Sequence, residues 1–80
     1  MSSPEGWGEI DSALERTFTF AGFPEAIAFV TRVAELAESE NHHPDIAISY
    51  RRVTLRWRTH SADAITARDR ELAERSAALA

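Results

Sequence analysis

The chain has 80 residues, 44% hydrophobic and 28% charged, with 9 Lys and Arg against 13 Asp and Glu and a formal net charge of -4. This is the composition of one small folded domain spanning residues 1–80, and its acidic balance runs against the basic field by which nucleic-acid binders neutralise phosphate. Cysteine is absent, which excludes disulfides and thiolate metal sites and leaves tight packing, a bound ion or self-association to stabilise so small a core.

The opening Met1–Gly6 is rich in Ser, Pro, Glu and Gly and is expected to fray. A short strand is expected over Trp7–Ile10, ended by the turn-prone Asp11-Ser12. Leu14, Arg16, Phe18 and Phe20 then alternate with Ala13, Glu15, Thr17 and Thr19, the period of a half-buried second strand. Gly22-Phe23-Pro24 breaks that strand and starts a helix running from about Pro24 to Glu40. On it, Phe23, Ile27, Val30, Ala34 and Ala37 share a face that Phe29, Val33 and Leu36 widen, as suits a helix lying across a sheet. Pro44 disfavours helical geometry at His43 and so ends the helix.

Ile46, Ile48 and Tyr50, then Val53, Leu55 and Trp57, each alternate with small or polar residues. They predict two antiparallel strands joined by a tight turn near Tyr50–Arg52. Arg56 and Arg58 read as the polar face of the second of these rather than as a nucleic-acid patch. His60 to Ile65 is a loop, and Thr66-Ala67-Arg68-Asp69 fits a capping box for a last helix over Ala67–Ala78, burying Leu72, Ala73, Ser76 and Leu79. The order ββαββα predicts an α+β fold, with helices on one face of a four-stranded antiparallel sheet and Thr, Ser and Arg on the other. No apolar stretch approaches the roughly 20 residues needed to span a bilayer. Residues 1–8 lack the features of a signal peptide, so the cytoplasm is the expected location and no membrane partner is expected.

The three histidines fall at element boundaries: His42 and His43 after the first helix, His60 after the fourth strand. If the last two strands pair, the open end of their hairpin brings the three together. Imidazoles titrate near neutrality and suit proton transfer there. Glu38, one helical turn before His42, is placed to orient it. Two other readings stay open at this point. His-His-Pro serves as a helix stop signal, and three histidines can hold zinc. The metal reading suffers because adjacent His42 and His43 point to opposite sides of an extended chain and the usual ligand spacings are missing.

The segment from Glu38 to Asp69 resembles the signature of the pterin-4a-carbinolamine dehydratase family. Its matching residues are Glu38, His42-His43-Pro44, Tyr50, Thr59-His60 and Asp69, and the likeness extends outward to Trp7, Leu14–Phe18, Phe20, Phe29 and Val33-Ala34. The resemblance implies an α+β fold assembled as a homodimer or homotetramer. The implied reaction expels the 4a-hydroxyl of a 4a-hydroxytetrahydropterin as water, with no metal and no cofactor, in tetrahydropterin recycling. It assigns acid and base roles to His42 and His60, pterin contact to His43 and tuning of His42 to Glu38. Asp69 also matches, but its capping-box context with Thr66 favours a structural role. Tyr50 and Trp57 could border a flat heterocycle, although strand alternation favours core packing.

Two departures from the family pattern bear on these expectations. Family members usually carry a helix before the position of Gly6-Trp7, which is missing here. Two loop glycines appear as Asp63 and Ala64, of which Asp tolerates left-handed backbone better than Ala. With these departures, a protein-binding or assembly module on the same fold is the alternative function.

Overall fold

Strand and helix periods in the sequence each become one element. A computed structural model describes residues 4–80, so the first three residues of the segment expected to fray lie outside the described residues. Pro4 to Trp7 form a turn instead, in which the Trp7 amide donates to the Pro4 carbonyl at 3.1 Å. Gly6, at φ +88°, lets the chain pass against Arg16, where a Cβ would lie 2.8 Å from the guanidinium. The elements are β1 (Gly8–Ile10), β2 (Ala13–Thr19), α1 (Phe23–Glu40), β3 (Asp45–Ser49), β4 (Arg52–Trp57) and α2 (Ala67–Ala77).

The sheet is antiparallel throughout, in the order β1-β2-β4-β3. Cross-strand partners point to the same side, so register decides the faces. Leu14 opposes Trp57, Phe18 opposes Val53, and Ile46 opposes Leu55 on the helix-covered face. Thr17 opposes Thr54 and Ser49 opposes Arg52 on the other face, where the Thr17 and Thr54 hydroxyls hydrogen-bond at 2.8 Å. The polar far face is as the alternation predicts. The strand expected over Trp7–Ile10 is shorter, because Trp7 leaves the ladder to pack edge-on against Phe18 with ring centroids 5.9 Å apart.

Helix α1 buries Ala26, Phe29, Val33 and Ala37. The expected stripe is therefore turned by about one residue: Phe23 and Ile27 lie toward its exposed side at 49% and 37% exposure. Phe29 is larger than Ile27 and is fully buried, packing its ring 4.9 Å from those of both Phe18 and Phe20. Helix α2 buries Leu72, Ala73 and Ser76 against β2 and β4, together with the carboxylate of Asp69. The Trp57 indole, fully buried, donates to Ser76 Oγ at 3.2 Å. Core packing is thus the job of Trp57. Tyr50 has no such role: it is 68% exposed in the β3–β4 turn with φ of 55°.

Helix α1 ends in a way the sequence only half announces. Asn41 takes the left-handed conformation at φ 50°, the His42 amide donates to the Ala37 carbonyl at 3.1 Å, and the Asn41 amide donates to the Glu38 carbonyl at 3.3 Å. These two bonds satisfy carbonyls that a helix end otherwise leaves orphaned, and they fix the direction in which the chain leaves. Asn is among the few non-glycine residues that take this conformation at little cost. Replacing Asn41 by Ala is expected to lower the unfolding free energy by about 1 kcal/mol, read from urea titration, and Asn41→Gly to leave it near wild type.

Candidate active site

Helix α1, the start of β3, the end of β4 and the start of α2 meet at one end of the sheet. The β3–β4 register pairs Asp45 with Arg56. Carried three residues further it would set His42 opposite Thr59. The site is built around that crossing.

Asp69 lies in the first turn of α2, at 0% exposure. Its Oδ1 accepts from His42 Nε2 at 2.7 Å. Its Oδ2 accepts from the Thr59 hydroxyl at 2.7 Å and from the Thr66 backbone amide at 2.9 Å. The last bond is the reach-back half of the capping box that the sequence predicts. Asp69 is therefore a cap and, in addition, the partner of His42, a role the sequence reading left out. Burial pushes its carboxyl up, but the hydrogen bonds from Thr59, His42 and the Thr66 amide outweigh that and hold it below the usual carboxylate range.

His42 itself is mostly buried, with its side chain 16% exposed. Its ring lies parallel to the Trp57 indole, planes 6° apart and centroids 6.0 Å apart, an offset stack. Held on one face by Trp57 and at Nε2 by Asp69, the imidazole has little freedom. Its Nδ1 has no hydrogen-bond partner among the described residues.

Glu38 does not reach His42. Its Oε2 accepts from His43 Nε2 at 2.8 Å, with both side chains well exposed. The left-handed Asn41 is the cause: it swings the chain off the helix axis, so the ring that comes back over Glu38 is the next one along. An ion pair this exposed contributes at most about 1 kcal/mol. The expectation that Glu38 tunes His42 is corrected accordingly; Glu38 orients His43.

His60 is exposed in the loop after β4, where its Nδ1 lies 3.4 Å from Arg58 Nη2. Arg58 also pairs with Asp63 Oδ1 at 3.1 Å. Of the two residues at expected glycine positions, only Asp63 adopts positive φ, at 50°. The loop is tied shut by mutual backbone bonds between Thr59 and Ala64 of 3.0 and 3.4 Å. Asp63 thus supplies the conformation for which glycine is otherwise chosen, and Ala64 needs none of it.

A clamp outside the site holds the two helices in place. Arg68 Nη2 donates to the Glu40 carbonyl at 2.7 Å, and the Glu40 carboxylate pairs with Arg68 and Arg75 at 3.0 and 3.3 Å. The Arg75 hydrogen bond does most to hold the Glu40 carboxyl below its ordinary value, with Arg68 adding to it against a smaller effect of burial. Through this clamp the end of α1, which carries His42, is tied to the helix that carries Asp69.

Among the described residues, no group of three or more His, Cys, Asp or Glu side chains is arranged to hold a metal ion. His42 turns to Asp69 and His43 turns to Glu38, so the adjacent imidazoles commit one nitrogen each to different carboxylates. Among the described residues, no helix is long and apolar enough to cross a membrane.

Comparison with known proteins gives consistent matches. The family described as "Pterin 4 alpha carbinolamine dehydratase" matches residues 1–79. A relative from Thermomicrobium roseum, named "Putative pterin-4-alpha-carbinolamine dehydratase", is 56% identical over 75 residues, covering 94% of this chain and 81% of its own. A relative of the same name from Picosynechococcus is 46% identical over 67 residues, covering 84% and 73%. A crystal structure of a transcriptional coactivator/pterin dehydratase from Brucella melitensis superposes with a TM-score of 0.90 at 35% identity, over 95% of this chain and 83% of that one. A pterin dehydratase-like protein described as a RuBisCO assembly factor in the alpha-carboxysome shares the fold, with a TM-score of 0.75 at 23% identity over 91% and 84%.

Proposed function

The chain belongs to the pterin-4-alpha-carbinolamine dehydratase family, and from that premise we propose that it dehydrates a 4a-hydroxytetrahydropterin to quinonoid dihydropterin by histidine acid/base catalysis. The observation that carries the proposal is the buried Asp69, which holds His42 by Nε2 and bonds Thr59, the residue before His60, while His42 Nδ1 has no hydrogen-bond partner among the described residues. The reaction breaks the C4a–O bond and the N5–H bond and closes an N5=C4a double bond. One group must take the N5 proton while another protonates the departing oxygen, which leaves as water. His42 and His60 are assigned these two roles, each within the pH range where imidazole changes state. His43, oriented by Glu38, contacts the pterin. The pterin's own ring electrons expel the hydroxyl, so the reading includes no metal or cofactor. It places the protein in the cytoplasm as a homo-oligomer, in tetrahydropterin recycling.

A second reading, protein binding or assembly on the same fold, draws on the Brucella protein's description as a transcriptional coactivator. It also draws on the exposed Ile48 and Tyr50 at the far end of the sheet. One measurement separates the two. Stopped-flow absorbance of chemically generated carbinolamine is expected to show collapse faster than the spontaneous rate, in proportion to added protein. A rate unchanged by the protein across the neutral range would overturn the dehydratase reading and leave the binding one.

A further inference from the structure

The geometry points to Thr59 as a positioning residue that, through Asp69, sets which nitrogen of His42 carries the proton. This inference rests on the proposed dehydration for its catalytic consequence, but not for its geometry.

Two facts about protons decide the direction of every bond around Asp69. An ionised carboxylate accepts only, and a hydroxyl has a single proton to give. Thr59 lies 2.7 Å from Asp69 Oδ2, so its one proton goes there. Thr59 Oγ1 also lies 2.7 Å from Thr66 Oγ1, and with the Thr59 proton already committed, Thr66 must be the donor in that pair. The alternative acceptor for the Thr66 proton, Asp69 Oδ2, is farther away at 3.2 Å. The result is an ordered chain, Thr66 O–H to Thr59 Oγ1 and Thr59 O–H to Asp69 Oδ2, in which each bond polarises the next. The Thr66 oxygen keeps a lone pair for its capping-box bond to the Asp69 amide.

With Oδ2 filled by donors, Oδ1 is the oxygen turned to His42 and takes its Nε2–H at 2.7 Å. The neutral imidazole must then keep its lone pair on Nδ1, the nitrogen without a hydrogen-bond partner among the described residues. Nδ1 of His42 is therefore the base that receives the N5 proton. The neighbouring contact agrees in sign. Arg58 can only donate, so at 3.4 Å from His60 Nδ1 it favours the Nε2–H tautomer of neutral His60 as well. Thr59 touches no reacting atom. Its work is to stop the carboxylate from rotating and offering the imidazole a second geometry, as outer partners do for other held histidines.

The test uses the whole chain labelled with 15N at histidine, at a pH of about 8.5, well above the ordinary histidine value of about 6.5. The His42 signals are identified by their loss in His42→Gln. Wild type is expected to show a single Nε2–H tautomer at His42. Thr59→Val, which keeps shape and removes the hydroxyl, is expected to show a mixture of tautomers and a kcat about 10-fold lower with KM within about twofold. Thr59→Ser is expected to restore both. An Nδ1–H tautomer in the wild type overturns the inference whether or not the valine variant folds, and so does an unchanged tautomer in a folded Thr59→Val. If the tautomer shifts as expected while wild type fails to accelerate dehydration, Thr59 still positions His42 and the dehydratase reading is the one that falls.

Discussion

Replacing His42 by alanine is expected to slow carbinolamine dehydration by about 10- to 1,000-fold, the span usual for removing an acid or base group. His60→Ala is expected to fall in the same range, and the pair separates catalysis from stability. His42 is mostly buried and fills Asp69 Oδ1, so its truncation strands a buried carboxylate oxygen and should also lower the urea midpoint. The exposed His60 side chain makes, among the described residues, only a 3.4 Å contact to Arg58, so its truncation should leave the urea midpoint close to wild type while the rate falls. Turnover in both variants equal to wild type in the stopped-flow assay would remove the acid/base assignment.

Asp69→Ala is expected to be the most destabilising single change in the site, at about 3 kcal/mol or more. It leaves the Thr59 hydroxyl, the Thr66 amide and the His42 Nε2–H without their shared acceptor inside the protein. A domain of this size has on the order of 4–12 kcal/mol in total, so the loss should be plain in a urea or thermal melt. Asp69→Asn is milder for the fold and informative for chemistry. An amide nitrogen turned to His42 donates where the carboxylate accepted, which moves the ring proton to Nδ1 and removes the base. That variant should remain folded and lose most of its turnover.

The pH dependence of stability follows from the same carboxyl. Its folded value is held below the ordinary one, so its contribution is fully present above the ordinary carboxylate value. That contribution is lost as pH falls through the lower folded value. Thermal melts of wild type at decreasing pH should therefore lose a stabilisation that Asp69→Asn lacks from the start. Parallel curves for the two proteins would show that Asp69 stores no stability as an anion.

The elements that depend on near neighbours in the chain were legible in the residues themselves. The two-residue alternation from Ala13 to Thr19 and from Arg52 to Trp57, the proline within the first turn of α1 and the Thr66–Asp69 capping box are local chemistry, and they locate the strands, helices and one helix start. The His-His-Pro and Thr-His residues and the family resemblance likewise point to residues of the candidate site. What could not be read was which partner each histidine would find. Asp69 lies 27 residues from His42 and reaches it only because α2 docks on β4 with that side inward. Glu38 has the spacing to meet His42 on a continuous helix, yet the left-handed Asn41 hands it His43 instead. Tyr50 has the alternation of a core residue and is left in solvent, because it falls in the turn rather than in the strand. Local sequence determines backbone conformation through sterics and nearby hydrogen bonds; the meeting of distant side chains depends on how finished elements pack, and a one-residue rotation or a single left-handed residue is enough to exchange the partners.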